Sequence, residues 1–345
     1  MKKSAHNDIQ TSVIDDNITV CFDGITKTFE QWQRTGGVKN TVQNLLLPQK
    51  KTITALDNVS FSIRKGEFVA YAGPNGAGKS TTIKIISGML LPRDGTVTVL
   101  RQSPAKNRIT LMKKVGILFG NRTELWWDHP INQSFEWKRE VWDIPKDQYE
   151  HTKAMVVELL DIGPLLNTFA RELSLGQRMR CDLAMMLLHE PELILLDEPT
   201  LGLDVLAKRQ MINFLKQLNR ERGTTIIVTS HDMDDLEEMA QRILLVSHGK
   251  LAFDGNFEAL RRFIGCKRIL HLTCYTETPP IIPNTTYLSM DGGRFSYTFD
   301  SQSVRMTDIL AELSHIEGIV DVAFEETPLE SALADLFSTW KVTVK

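Results

Sequence analysis

Three short stretches of this 345-residue chain carry residue types that could do chemistry together. The first reads "GPNGAGKST" from Gly73 to Thr81 and fits G-x-x-x-x-G-K-[ST], with Gly73, Gly78, Lys79 and Ser80 at the fixed positions. Glycines there let successive backbone N–H groups converge on a phosphate, a concavity that side chains would obstruct. Lys79 would reach the β- and γ-phosphates of a nucleotide, and the Ser80 hydroxyl would ligate Mg2+. Asn75, Gly76 and Thr81 complete the loop. The second stretch, "ELILLDEPT", closes an apolar run with two carboxylates, Asp197 and Glu198. At the C-terminal edge of a buried strand, such a pair lies at the ligand crevice of an α/β sheet. Asp197 would hold the Mg2+ shell, and Glu198 would orient and polarise an attacking water. The third, "LSLGQRMR", sets Ser174 and Gly176 ahead of a long apolar stretch, the pattern of a helix N-terminus suited to an anion. One nucleotide does not need two phosphate grips.

The elements that must hold these residues follow in a regular order. "NITVCFDGITKTF" alternates like a strand, and "ALDNVSFSIRKGEFVAYAG" reads as two strands joined by a Lys-Gly turn. Apolar strand "FVAYA", glycine loop and helix "KSTTIKIISGML" then succeed one another, the context a phosphate loop requires. Residues 121–190 read as predominantly helical. Helix "VLAKRQMINFLKQLNRER", strand "TTIIVTS", helix "DMDDLEEMAQR" and strand "RILLVSHGK" complete an α/β alternation. An insert at 30–52 interrupts the pattern; within it Val38, Val42, Leu45 and Leu46 form one stripe of a short helix ending at Pro48.

After Gly265 the style changes. Strands at 268–275, 286–290 and 294–299, a helix at 304–315, a strand at 319–325 and a helix at 328–339 describe a small α+β module. Leu329, Leu333, Leu336 and Phe337 lie on one face of the last helix. That stripe is expected to bury on the module's own sheet, or else on the same module of a second subunit. The division is therefore a polar tail (1–16), an α/β domain (17–264, its helical subdomain at about 121–190) and an accessory or regulatory α+β domain (265–345).

Composition excludes several classes. The chain has 40 Lys+Arg against 43 Asp+Glu, and residues 265–345 carry 6 basic and 11 acidic residues. Neither part has the basic excess that nucleic acid demands. The N-terminal "MKKSAHNDIQTSVIDD" lacks the apolar core of a signal peptide. No apolar run approaches the ~18–20 residues of a membrane span. Cys21, Cys181, Cys266 and Cys274 show no metal-ligand spacing, which suits reduced thiols in the cytosol.

Taken in order, these motifs resemble those of the ATP-binding subunits of ABC transporters over residues 17–264. "LSLGQ" is similar to the family signature, with Leu175 where glycine is more usual; "LGLD" (201–204) matches the D-loop, and "TSHD" sets His231 at the switch position. The resemblance implies an α/β fold: a P-loop NTPase core of ABC type with an antiparallel β subdomain and a helical subdomain, plus the C-terminal module. It implies ATP and Mg2+ as ligands, ATP hydrolysis, and two subunits packed head to tail. Ser174, Gly176 and Gln177 would then grip the γ-phosphate bound to the other subunit's Lys79, with Asp204 close by. His231 would contact the γ-phosphate, and Phe29 would stack on adenine, with Trp32 in reserve. One position departs from the pattern. A glutamine should follow "VGILF", but the sequence continues "GNRTELWWD", so Asn121 is the nearest amide for Mg2+ and Gly120 the alternative alignment.

The segment "RTELWWDHP", the insert and the ending "ETPLESALADLF" resemble a bacterial exporter-type group whose ATPases serve separate integral-membrane permeases. That resemblance implies a homodimer held at the cytoplasmic face of the inner membrane through the permease, with Trp126 or Trp127 lining the permease socket. The importer ATPases of methionine type, with a substrate-sensing C-terminal domain, are the alternative. Soluble ABC ATPases of translation or DNA repair come third, since this chain has one ATPase domain and no heptads.

Overall fold

The computed structural model describes residues 15–32, 50–120, 122–265, 267–276, 278–301 and 303–343. The helix expected within 38–46 lies outside them. By Cα proximity the chain forms two compact units, one running to His231 and resuming over Asp235–Asp254, the other comprising Asp232–Asp234 and Gly255 onward.

The first unit is built on a six-stranded sheet in the order β5-β6-β7-β3-β8-β9. Its strands are short: β3 (Phe68–Ala72), β5 (Val115–Phe119), β6 (Leu193–Asp197), β7 (Thr225–Thr229), β8 (Arg242–Ser247) and β9 (Lys250–Gly255). β5 through β8 pair in parallel, and every residue of β3 and β7 is buried, as befits strands covered on both faces. His248 (φ 49°) and Gly249 (φ 76°) turn β8 into β9, two positive φ values in a two-residue connection.

Two long strands, β1 (Ile18–Trp32) and β2 (Lys50–Arg64), form an antiparallel sheet with β4 (Asp94–Val99) in the order β2-β1-β4. Phe22 and Ile25 of β1, Leu56 and Phe61 of β2, and Leu193 and Leu195 of β6 share one buried cluster with Ile83, Ile85 and Ile86 of helix α1 (Lys79–Ile86). One continuous core thus holds the two sheets around the helix that begins at Lys79. The ladder continues through Glu30↔Thr52, Gln31↔Lys51 and Trp32↔Lys50, so the insert is shorter at both ends than the sequence implies. Those six residues are polar or aromatic and show no apolar alternation, and Glu30, Gln31, Lys50, Lys51 and Thr52 are exposed.

Helices α2 (Ile131–Trp142), α3 (Lys146–Leu159) and α4 (Leu175–Leu187) make up the helical part, followed by α5 (Val205–Arg222) and α6 (Met233–Met239). The expected alternation of elements and the ABC-type α/β architecture are both present.

In the second unit a four-stranded antiparallel sheet has the order β11-β12-β10-β13, from β10 (Lys267–Cys274), β11 (Thr286–Asp291), β12 (Arg294–Asp300) and β13 (Ile319–Glu326). Ile309 and Leu313 of α8 (Met306–Leu313) pack on Leu270, Leu272, Phe295 and Tyr297. The unit opens with helix α7 (Phe257–Ile264), which the sequence had assigned to the ATPase domain, and closes with α9 (Leu329–Thr343). Leu329 and Leu333 are buried, and α9 packs on α7. This contact is with a helix upstream of the start that the sequence implies for the module, which the module's sequence alone could not reveal.

Candidate active site

Residues 73–78 turn from the end of β3 into α1. A Cβ on Gly73 would stand 2.1 Å from the Val246 carbonyl oxygen, so the loop can pass β8 this closely only with glycine there. Gly78, at φ 111°, caps the start of α1, while Asn75, Gly76 and Ser80 are exposed and Thr81 half-buried. Lys79 is buried, and its Nζ donates to the Gly73 carbonyl at 2.7 Å and to the Pro74 carbonyl at 3.4 Å. Burial lowers its pKa below the ordinary lysine value, and the charges of Glu198 and Asp197 oppose that shift. The Lys79 ammonium is therefore held along the rim of the loop with two carboxylates in its field.

Asp197 ends β6 beside Thr229 at the end of β7, and the Thr229 hydroxyl donates to Asp197 Oδ1 at 2.6 Å. Ser80 Oγ donates to Asp197 Oδ2 at 3.1 Å. Glu198 follows in left-handed backbone (φ 59°), a conformation costly for a side chain with a Cβ. Its N–H donates to the Thr229 carbonyl at 3.0 Å, which holds that turn in place. His231 Nε2 lies 2.6 Å from Glu198 Oε1. Lys79, Ser80, Asp197, Glu198 and His231 are thus brought together, and Thr229 joins them. Sequence reasoning passed over Thr229 because a threonine closing "TTIIVTS" reads as an ordinary strand former. Its place two residues before His231 was the available signal. The set fits Mg2+ bound with a nucleotide: a hydroxyl and a carboxylate supply hard oxygens beside an ammonium and a glycine-lined cradle.

The remaining candidates sit on other elements. Phe29 pairs with Ile53 across the arm and is 38% exposed, with Lys27 Nζ 5.4 Å from its ring centroid. Trp32 pairs with Lys50 at the end of that ladder. Ser174 caps α4 in a reciprocal box: its Oγ accepts from the Gln177 N–H at 3.2 Å, and Gln177 Oε1 accepts from the Ser174 N–H at 2.9 Å. The box uses a lone pair of the Ser174 hydroxyl and leaves its proton able to donate. Gly176 follows in the first turn. Asp204 caps α5, its carboxylate accepting from the Ala207 N–H at 2.8 Å. Asn121 lies outside the described residues. Gly120 has no room for a side chain, since a Cβ there would sit 2.3 Å from the Glu198 carbonyl oxygen.

The segment after Gly120 is tied to α4. Buried Asp182 accepts through Oδ1 from the Thr123 hydroxyl (2.7 Å) and from the Glu124 N–H (3.1 Å). Burial pushes its pKa up to about 6. Trp126 packs its ring on His129 and Trp137, while Trp127 is half exposed with the Arg178 guanidinium near its face. Among the described residues no helix is long and apolar enough to cross a membrane.

Comparison with known proteins agrees with this geometry. The family described as ABC transporter matches residues 56–201. An uncharacterized ABC transporter ATP-binding protein, YhcH of Bacillus subtilis, is 35% identical over 62% of this chain and 67% of its own length. The methionine import ATP-binding protein MetN of Carboxydothermus hydrogenoformans is 30% identical over 60% of this chain and 63% of that protein. The ATP-binding cassette MJ0796, solved as a dimer in a post-hydrolysis state with ADP and Pi, covers 69% of this chain with 98% of its own at a TM-score of 0.57 and 25% identity. The chain spans two thirds of the Bacillus relative but little more than a third (37%) of a Vibrio vulnificus relative. It belongs to the family of ABC transporter ATP-binding proteins. It is an ATPase cassette, with ATP and Mg2+ as its ligands.

Proposed function

We propose that the chain powers export through separate integral-membrane permease subunits, working as a head-to-tail homodimer at the cytoplasmic face of the membrane. The observation that carries its catalytic part is the cluster of Lys79, Ser80, Asp197, Glu198, Thr229 and His231. Mg2+ held by Ser80 and Asp197 would supply charge neutralisation at the β- and γ-phosphates. Lys79 exchanges its loop carbonyls for phosphate oxygens. Thr229 keeps Asp197 oriented so that Oδ2 stays with Ser80. Glu198 would receive the proton of the attacking water, and the single N–H of a neutral His231 would pass from Glu198 to the γ-phosphate when nucleotide binds. Phe29 offers its exposed face to adenine, and the donating proton of Ser174 reaches the nucleotide of the second subunit.

Export is favoured by the "RTELWWDHP" segment, whose exposed Trp126 and Trp127 suit a permease helix. The identity to a methionine import ATP-binding protein favours the second reading, an importer with a substrate-sensing C-terminal unit. Isolating the chain with its membrane partners and reconstituting the complex in lipid vesicles tests both. ATPase activity that rises on reconstitution and is indifferent to free amino acids is expected. Inhibition by an amino acid that disappears on truncation after Gly265 would replace export by import. Stimulation by nucleic acid or ribosomes would overturn both.

A further inference from the structure

We propose that the C-terminal unit binds a small oxyanion, a phosphate or carboxylate group, in the cavity enclosed by α7, the first residues of β10, the end of β13 and the first turn of α9. The cavity measures about 100 Å3, several times the roughly 10–15 Å3 that one water requires. That is room for a single anionic group and far too little for a nucleotide. Arg261, Lys267 and Arg268 line it together with Glu326, Ser301 and Thr327.

Three properties select an oxyanion. Charge comes first. Residues 265–345 are acidic, yet Lys267 and Arg268, two of their six basic residues, converge here with Arg261. Glu326 is the one carboxylate of the lining, against three basic residues. Glu326 also sets the geometry. Its Oε2 lies 3.4 Å from Arg261 Nη1 and its Oε1 3.2 Å from Arg268 Nη2, which holds both guanidiniums at the cavity and leaves Arg268 further N–H donors. Lys267 makes no ion pair among the described residues. The third property is an unmet polar group. Thr327 Oγ1 is shut off from solvent and has no hydrogen-bond partner among the described residues. A buried hydroxyl left this way costs free energy, and an anion at the cavity can accept its proton. Planar guanidinium forks match a carboxylate or phosphate edge better than they match neutral ligands.

The test must separate this site from the phosphate loop. The full chain is saturated with Mg2+ and a non-hydrolysable ATP analogue, then titrated with inorganic phosphate or with acetate at ionic strength held constant by chloride. Hydrogen–deuterium exchange is followed in peptides covering 257–268 and 324–333. One or both anions should slow exchange there, and the apparent Kd should weaken at least tenfold in Lys267→Ala and in Thr327→Val. Exchange elsewhere in the chain checks that each variant is folded. Protection by phosphate alone or by acetate alone assigns the ligand class. Protection by neither anion, equal protection by chloride, or unchanged Kd in both folded variants would overturn the proposal.

Discussion

His231 Nε2 sits 2.6 Å from Glu198 Oε1, and because an ionised carboxylate can only accept, the imidazole is the donor. One carboxylate oxygen is thereby fixed, leaving Oε2 to receive a proton. Glu198→Gln keeps the shape and an acceptor for His231 but removes the base. ATP turnover should fall by ~10²–10⁴-fold with nucleotide affinity retained. Single-turnover hydrolysis alongside nucleotide-binding calorimetry checks this, and turnover within threefold of the parent would remove Glu198 from the role.

Thr229 touches the centre through Asp197 and the Glu198 N–H. Thr229→Val removes the hydroxyl that donates to Asp197 Oδ1 and accepts from the Glu198 N–H at 3.2 Å, while leaving the Glu198 N–H its bond to the Thr229 carbonyl. The Mg2+ concentration for half-maximal ATPase activity should rise by roughly 10–100-fold, the range for partners that orient metal ligands. A magnesium titration decides it. An unchanged midpoint with lower kcat would assign Thr229 to the Glu198 turn instead.

If Ser174 serves the opposite subunit's nucleotide, damage should be separable between subunits. Ser174→Arg and Lys79→Ala chains mixed together form some dimers with one doubly damaged site and one intact site, whereas each variant alone has two damaged sites. ATPase activity of the mixture should exceed that of either variant alone. A mixture that never exceeds them across all ratios would count against the shared site.

Asp182 makes a pH-dependent contribution. Burial pushes its carboxyl up to about 6 from the ordinary 3.8, so the folded state holds the proton more tightly. The stability it contributes is therefore complete below about pH 4 and is lost as pH rises through 6. Asn at this position can accept both existing hydrogen bonds without a buried charge. Asp182→Asn should match the parent near pH 4 and exceed its stability by about 1–3 kcal/mol at pH 8, measured by urea unfolding. A constant difference across that range would contradict the assignment.

The phosphate loop and the carboxylate pair were legible because their chemistry admits few residue types. Only glycine passes Val246 at position 73, and only an acid at 197 meets Ser80 in this way. Thr229 was hidden, since its role depends on β7 lying next to β6, a pairing between segments distant in sequence. The contact of α9 with α7 was hidden for the same reason. The capping of α4 by Ser174 is local and was readable as a helix start, although the reciprocal part of Gln177 appears only with side-chain geometry. The missing amide after β5 is narrowed by sterics alone, because the Glu198 carbonyl excludes any side chain at 120.

The pairing of Trp32 with Lys50 has a consequence for engineering. A foreign segment grafted between residues 33 and 49 would have its two ends held side by side by an existing ladder. For a flexible graft the entropy of closure grows only with the logarithm of its length, about 0.6 kcal/mol for each doubling. The arm should therefore accept a reporter peptide, or a small domain with neighbouring termini, at little expense to the core that seats Lys79.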